Sequence, residues 1–245
     1  MVPEKKIGLR VAESCPRCGD SGWEQMDDAK VRRCSCRSLS RSTSLVASAR
    51  IPRRYQDCDF ESYYPLNPSQ EAAGMFARRV ANEVPNLDIG LLFMGTCGIG
   101  KTHLSVAILH ALLEKNIPCL FYDFRDLLKE IQESWNTQTQ TSEMEILAPV
   151  YEAEVLVLDE LGASKPTEWV KDTMTHIINK RYNDRKVTIF TSNYLDTKAS
   201  PNDETLTDRV GARLRSRLHE MCKMIILTGD DYRRTVKQAG FRFGQ

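Results

Sequence analysis

From residue 68 onward the chain alternates between two hydrophobic periods. Residues 68–84 (PSQEAAGMFARRVANEV) place apolar side chains at helical spacing, with Pro68 suited to a first turn. Residues 89–94 form a short apolar run, then comes a glycine-rich turn, and a helix is predicted from about 101 to 116. Pro118 opens a strand, CLFYDF, and residues 123–135 read as the next helix. Residues 137–142 are a polar gap, read as a loop, and 143–152 as a short helix. Residues 154–158 (EVLVL) are nearly all apolar, as in a strand buried on both faces of a parallel sheet. A helix over 169–182, a strand over 186–191, a helix over 205–221 and a last strand over 224–227 complete the pattern. Strands separated by helices of these lengths predict an α/β fold with a central parallel sheet.

The first fifty residues differ. They carry ten Lys and Arg against six Asp and Glu, a local net charge of +4 within a chain whose total is +1. That total excludes a strongly basic protein but not a basic face. Four of the eight cysteines lie here as Cys15-x2-Cys18 and Cys34-x-Cys36, which predicts two short strands carrying two knuckles. Four such thiolates suit a closed, structural Zn²⁺ site, and iron–sulfur ligation fits the spacing less well. Cys58, Cys119 and Cys222 read as small buried hydrophobes and Cys97 as a loop residue; the four histidines form no metal spacing. Residues 37–50 are rich in Ser and Arg and read as a linker or a short basic helix. The expected organisation is a zinc-binding module over 1–40, a linker and nucleotide-proximal segment over 41–66, and a core over 67–245. A length of 245 residues with 41% apolar and 27% charged side chains is ample for that core. The N-terminus has no apolar signal core and no run approaches the ~18 residues of a membrane helix, so a cytoplasmic location is expected.

Residues 95–102 read Gly95-Thr96-Cys97-Gly98-Ile99-Gly100-Lys101-Thr102, a G-x4-G-K-T loop between an apolar strand and an apolar helix. Such a loop turns backbone N–H groups toward phosphates. Lys101 is placed for the β/γ-phosphates of ATP and Thr102 for Mg²⁺. Asp159 and Glu160 end the buried strand VLVLDE, where parallel sheets bind ligands; Asp159 suits Mg²⁺ and Glu160 the attacking water. Asn193 follows the strand VTIFTS and either bonds the water or γ-phosphate or serves the turn. Arg209, Arg213 and Arg217 fall on one helical face, with Arg215 elsewhere; an arginine finger, a solvated basic face and a DNA contact all fit that spacing. The segment Ile51-Pro52-Arg53-Arg54-Tyr55 is placed to brace the base or touch nucleic acid.

The elements IPRRY, LLFMGTCGIGKTHLSVAI, VLVLDELG, IINKRYNDRKVTIFTSNY and DRVGARLRSRLHEMC resemble the bacterial replicative helicase loaders of the AAA+ class, and are similar to the IstB-like ATPases that assist insertion-sequence transposases. The resemblance covers about residues 51–228. It implies a DnaC/IstB-like AAA+ P-loop core without a full helical lid, which leaves no cis sensor-2 arginine. It makes Lys101 and Thr102 the Walker A pair, Asp159 and Glu160 the Walker B pair, Asn193 the sensor-1 residue, and Arg217, with Arg213 one turn earlier, the trans finger. It implies ATP hydrolysis, single-stranded DNA, a replicative helicase as partner and a homo-oligomer formed on partner or DNA. The alternative it carries is a transposase helper on duplex DNA. Cysteine modules at the amino terminus occur in some loaders, which favours the first.

Overall fold

The computed structural model describes residues 15–19, 21–26, 30–34, 44–136, 141–198 and 200–237. They fall into two units, Met1–Ser44 and Leu45–Gln245. In the first, β1 (Trp23–Gln25) pairs antiparallel with β2 (Val31–Arg33), Trp23 opposite Arg33. These are the two short strands expected between the cysteine pairs. Cys36 and residues 37–43 lie outside the described residues; 44–48 are helical.

In the second unit, α1 (Pro68–Glu83) precedes β3 (Gly90–Met94) and α2 (Lys101–Glu114). Then come β4 (Cys119–Asp123), α3 (Phe124–Ser134), α4 (Glu143–Glu152) and β5 (Val155–Asp159). The chain continues through α5 (Glu168–Asn183), β6 (Val187–Ser192), α6 (Leu206–Val210), α7 (Ala212–Met221) and β7 (Cys222–Ile226). The five strands form one parallel sheet in the order β4-β5-β6-β3-β7. This is the expected central parallel sheet of an α/β fold. β6 lies between the strand that feeds the glycine-rich loop and the strand that ends in Asp159, so side chains from both neighbours reach its tip.

Strand alternation divides the core. Leu91, Phe93, Val155, Val157 and Ile189 face α1 and α2. Leu92, Met94, Leu156, Leu158 and Phe190 face α3, α4, α5 and α7. β3, β5 and β6 are buried along their whole length because helices cover both faces. β7, at one edge, is buried only at Cys222 and Ile225.

The largest fully buried side chain among the described residues is a charged one. Arg181 is fully buried on α5 and donates to the carbonyls of Val150 (2.8 Å), Ala153 (2.9 Å) and Val187 (2.6 Å) and to Thr188 Oγ1 (2.9 Å). It thereby ties the end of α4 to the start of β6.

The helix expected over 205–221 is two helices. Gly211 stands between them at φ 84°, ψ 153°, backbone that side-chain-bearing residues avoid. This corrects the expected single arginine face: Arg209 ends on α6, while Arg213, Arg215 and Arg217 belong to α7.

Candidate nucleotide site

The glycine-rich loop joins β3 to α2 at the C-terminal edge of the sheet. Side chains of Asn67, Asp123, Ser142, Thr167 and Thr205 cap α1, α3, α4, α5 and α6, whereas no side chain caps α2. Its first N–H groups are therefore available to an anion. The N-cap is Gly100, at φ 98°, and an added Cβ would sit 2.8 Å from the Tyr63 ring. A glycine is needed there on both counts.

Lys101 is buried at 7% exposure, and its ammonium donates to the carbonyls of Gly95 (2.8 Å) and Thr96 (2.6 Å) and to Asn193 Oδ1 (2.8 Å). Burial pushes its pKa down to about 8. Thr102 donates to both Asp159 oxygens (3.0 and 3.2 Å), and Thr191 on β6 donates to Asp159 Oδ1 at 2.6 Å. Asp159 is 4% exposed, and burial pushes its carboxyl up to about 6 against those two hydrogen bonds. These contacts make two groups side by side, Lys101 with Asn193 and Thr102 with Asp159 and Thr191, brought together because Lys101 and Thr102 are consecutive. Thr102 and Asp159 present a hydroxyl and a carboxylate together, a donor set that suits Mg²⁺.

Glu160 is the next residue, at φ 60°. Its N–H donates to Thr191 Oγ1 (2.9 Å), and its carboxylate pairs with Arg125 in the first turn of α3. Arg125 also faces Asp123 at 3.6 Å. The pair is partly exposed, and such pairs open at little cost, on the order of 1 kcal/mol or less.

The cavity above the loop measures about 470 Å³ and is lined by residues of the loop, Glu160, Thr191 and Asn193. Arg54, Tyr55, Tyr63 and Leu66 form another part of its wall. Cys97 is exposed in that lining, Cys119 and Cys222 are buried, and Cys58 is half-buried.

Three contributors were missed by the sequence reading. Tyr63 and Arg125 carry no local motif and reach the site only through tertiary packing. Arg233 lines the cavity from the segment after β7, where Tyr232 N–H donates to the Gly98 carbonyl at 3.0 Å. The sequence reading considers a cis arginine only as the sensor-2 residue of a helical lid, and so does not single out Arg233 in DDYRR.

The α7 arginines do not line the cavity of their own chain. Arg213 is exposed. Arg217 is half-buried, and its Nη1 has no hydrogen-bond partner among the described residues. Arg215 forms a two-pronged pair with Asp196 (2.7 and 2.9 Å), which His219 also meets at 2.8 Å.

In the first unit, the sulfurs of Cys15, Cys18 and Cys34 all lie within 4.8 Å of one another, and Cys15 and Cys34 are 3.8 Å apart. Four sulfurs at the ~2.3 Å zinc–thiolate distance are about 3.8 Å from each other, so these three fit one ion. Glu24 takes hydrogen bonds from Arg32 Nε (2.7 Å) and Cys34 Sγ (3.1 Å).

Residues 35–240 match the family described as IstB-like ATP binding protein. The replicative helicase loader DnaC of Escherichia coli strain K12 is 26% identical over 183 residues, which are 74% of this chain and 71% of that protein. A crystal structure of the DnaC helicase loader superposes with a TM-score of 0.64 at 33% identity, covering 72% of this chain and all of the other. A DnaI structure gives a TM-score of 0.60 at 25% identity over 74% of this chain and 94% of DnaI. Among the described residues, no helix is long and apolar enough to cross a membrane.

Proposed function

The chain belongs to the IstB-like ATP-binding family, and from that membership together with its likeness to the DnaC and DnaI loaders we propose that it is an ATP hydrolase that loads or remodels a replicative DNA helicase. The observation that carries the reading is that Asp159, bonded to Thr102 of the loop and to Thr191, is followed directly by Glu160, with Lys101 and Asn193 paired alongside at the edge of a parallel sheet. A phosphate-binding loop alone would serve a nucleotide-binding adaptor. A carboxylate adjacent to the buried Asp159 is what hydrolysis additionally needs.

Lys101 exchanges its carbonyl partners for phosphate oxygens. Thr102 and Asp159 hold Mg²⁺, which when bound neutralises charge on the triphosphate. Glu160 accepts a hydrogen bond from the attacking water and orients it, once its pair with Arg125 opens. Asn193 bonds the same water or the γ-phosphate. Arg233 adds a cation from its own chain. Arg217, with Arg213 one turn earlier, is the candidate to reach a neighbouring subunit's phosphates, a role consistent with neither lining its own cavity. Nucleotide state then controls assembly on helicase and single-stranded DNA. Zn²⁺ at Cys15, Cys18, Cys34 and Cys36 orders the amino-terminal module, a surface available to the helicase.

The similarity to helicase loaders supports this partner over a transposase. Two measurements test the reading. Glu160→Gln should bind ATP normally while turnover stimulated by single-stranded DNA falls at least about a hundredfold. The purified chain should retain the replicative helicase in an ATP-dependent pull-down. Normal turnover by the variant would refute the role of Glu160; retention of a transposase and duplex DNA in place of the helicase would refute the partner.

A further inference from the structure

Arg209 lies on α6, outside the cavity lining, yet its side chain is only 11% exposed. Its Nε donates to the Gly162 carbonyl at 2.8 Å; its Nη2 donates to Ser164 at 2.8 Å and more loosely to Ala163 at 3.4 Å. Nη1 pairs with Glu204 at 3.0 Å, and the guanidinium lies over the Tyr194 ring, 4.8 Å from its centroid. The three carbonyls belong to the turn that follows Glu160, and Tyr194 follows Asn193. One side chain therefore binds the segments leaving β5 and β6 to each other and to α6.

The backbone of Glu160 needs such support. At φ 60° a non-glycine residue persists only where its surroundings over-determine it. Thr191 supplies one side: its hydroxyl accepts from Glu160 N–H and its carbonyl from Leu161 N–H, at 2.9 and 2.8 Å. Ala163 N–H closes the turn onto the Glu160 carbonyl at 3.0 Å. The outer face of that turn is held by Arg209. A planar fork of five donors spans the carbonyls of Gly162, Ala163 and Ser164 while also pairing with Glu204, a reach that the compact three-donor ammonium of lysine does not match.

We propose that Arg209 is a positioning residue for the Glu160 carboxylate, fixing the 160–164 turn against the α6–α7 pair that carries Arg213 and Arg217. The inference rests on the reading of Glu160 as the water-orienting group. Since only Gly211 separates α6 from α7, the same guanidinium sets the carboxylate in register with the arginine helix.

The test compares Arg209→Leu and Arg209→Lys with the unaltered full-length protein, measuring turnover, affinity for a non-hydrolysable ATP analogue with Mg²⁺, and melting temperature. Arg209→Leu should lower turnover at least about tenfold with affinity held within about threefold, since the residue is remote from the phosphates. Arg209→Lys keeps the charge facing Glu204 and should fall between the two. A merely structural role would move affinity and melting temperature together with turnover, and that result, or turnover by Arg209→Leu within about twofold of normal, overturns the proposal. If the leucine variant does not fold, the lysine variant decides: lowered turnover at unchanged affinity supports the proposal, and unchanged turnover overturns it. Glu160→Gln assayed alongside separates the two claims. An inactive Glu160→Gln beside a fully active Arg209→Leu removes the positioning role alone, whereas an active Glu160→Gln removes the reading on which it rests.

Discussion

At the scale of single residues, the site is a balance between two buried groups of opposite charge. Burial lowers the Lys101 pKa to about 8 and raises that of Asp159 to about 6. Polyphosphate beside Lys101 favours the ammonium and raises its pKa; Mg²⁺ beside Asp159 favours the carboxylate and lowers its pKa. Binding Mg·ATP therefore takes up protons near pH 8 and releases them near pH 6. By linkage, affinity should weaken as pH rises above about 8 and also as it falls below about 6, with a plateau between. Isothermal titration in buffers of different ionisation enthalpy should read opposite proton counts at the two ends. Flat affinity from about pH 5.5 to 9 would show that neither group is perturbed as its burial requires. The identities behind this balance were legible in the sequence because 95–102 and 159–160 are contiguous and their chemistry is local. The hydrogen bonds that hold Asp159 were not, because Thr191 stands on a different strand, and nothing in VTIFTS marks which threonine points at the carboxylate.

At the scale of elements, hydrophobic period located the strands and helices to within a few residues and failed where one backbone torsion decides. Leu206, Val210, Leu214 and Leu218 keep helical spacing across Gly211, so apolar pattern alone predicts one helix. Gly211 breaks it with a conformation that period cannot reveal. Nothing lies within 4 Å of a Cβ added there, so the cost of Gly211→Ala is one of backbone alone. The variant should lose about 1–3 kcal/mol of stability, measured by urea unfolding. Arg213 and Arg217 should be re-aimed as well, so cooperative turnover should fall beyond what stability explains. A neutral Gly211→Ala would mean that the break between α6 and α7 is not required. The same break accounts for the division of labour among the arginines: Arg209 faces the turn after Glu160, Arg215 holds Asp196, and Arg213 and Arg217 stay off their own cavity.

At the scale of the whole molecule, the two units are built on different physics. The described residues from 45 onward bury both faces of a five-stranded sheet in two large apolar clusters. Of the described residues between 15 and 34, only Gly22, Glu24 and Cys34 are buried, so these residues bury no cluster of large apolar side chains. Two three-residue strands without such a core are not stable by themselves. The clustered sulfurs of Cys15, Cys18 and Cys34 supply the alternative, since metal binding to a small module is also its folding free energy. The cysteine spacing announced this in the sequence, although the fourth ligand, Cys36, rests on spacing alone. Stripping the metal with a strong chelator should release about one Zn²⁺ per chain by elemental analysis, shift the emission of Trp23 as β1 and β2 come apart, and leave the affinity for Mg·ATP unchanged. Helicase retention should be lost with the metal and return when Zn²⁺ is restored. Loss of nucleotide binding in step with metal release would show instead that the core depends on the module, and an unchanged helicase pull-down would move the partner's contact to residues 45–245.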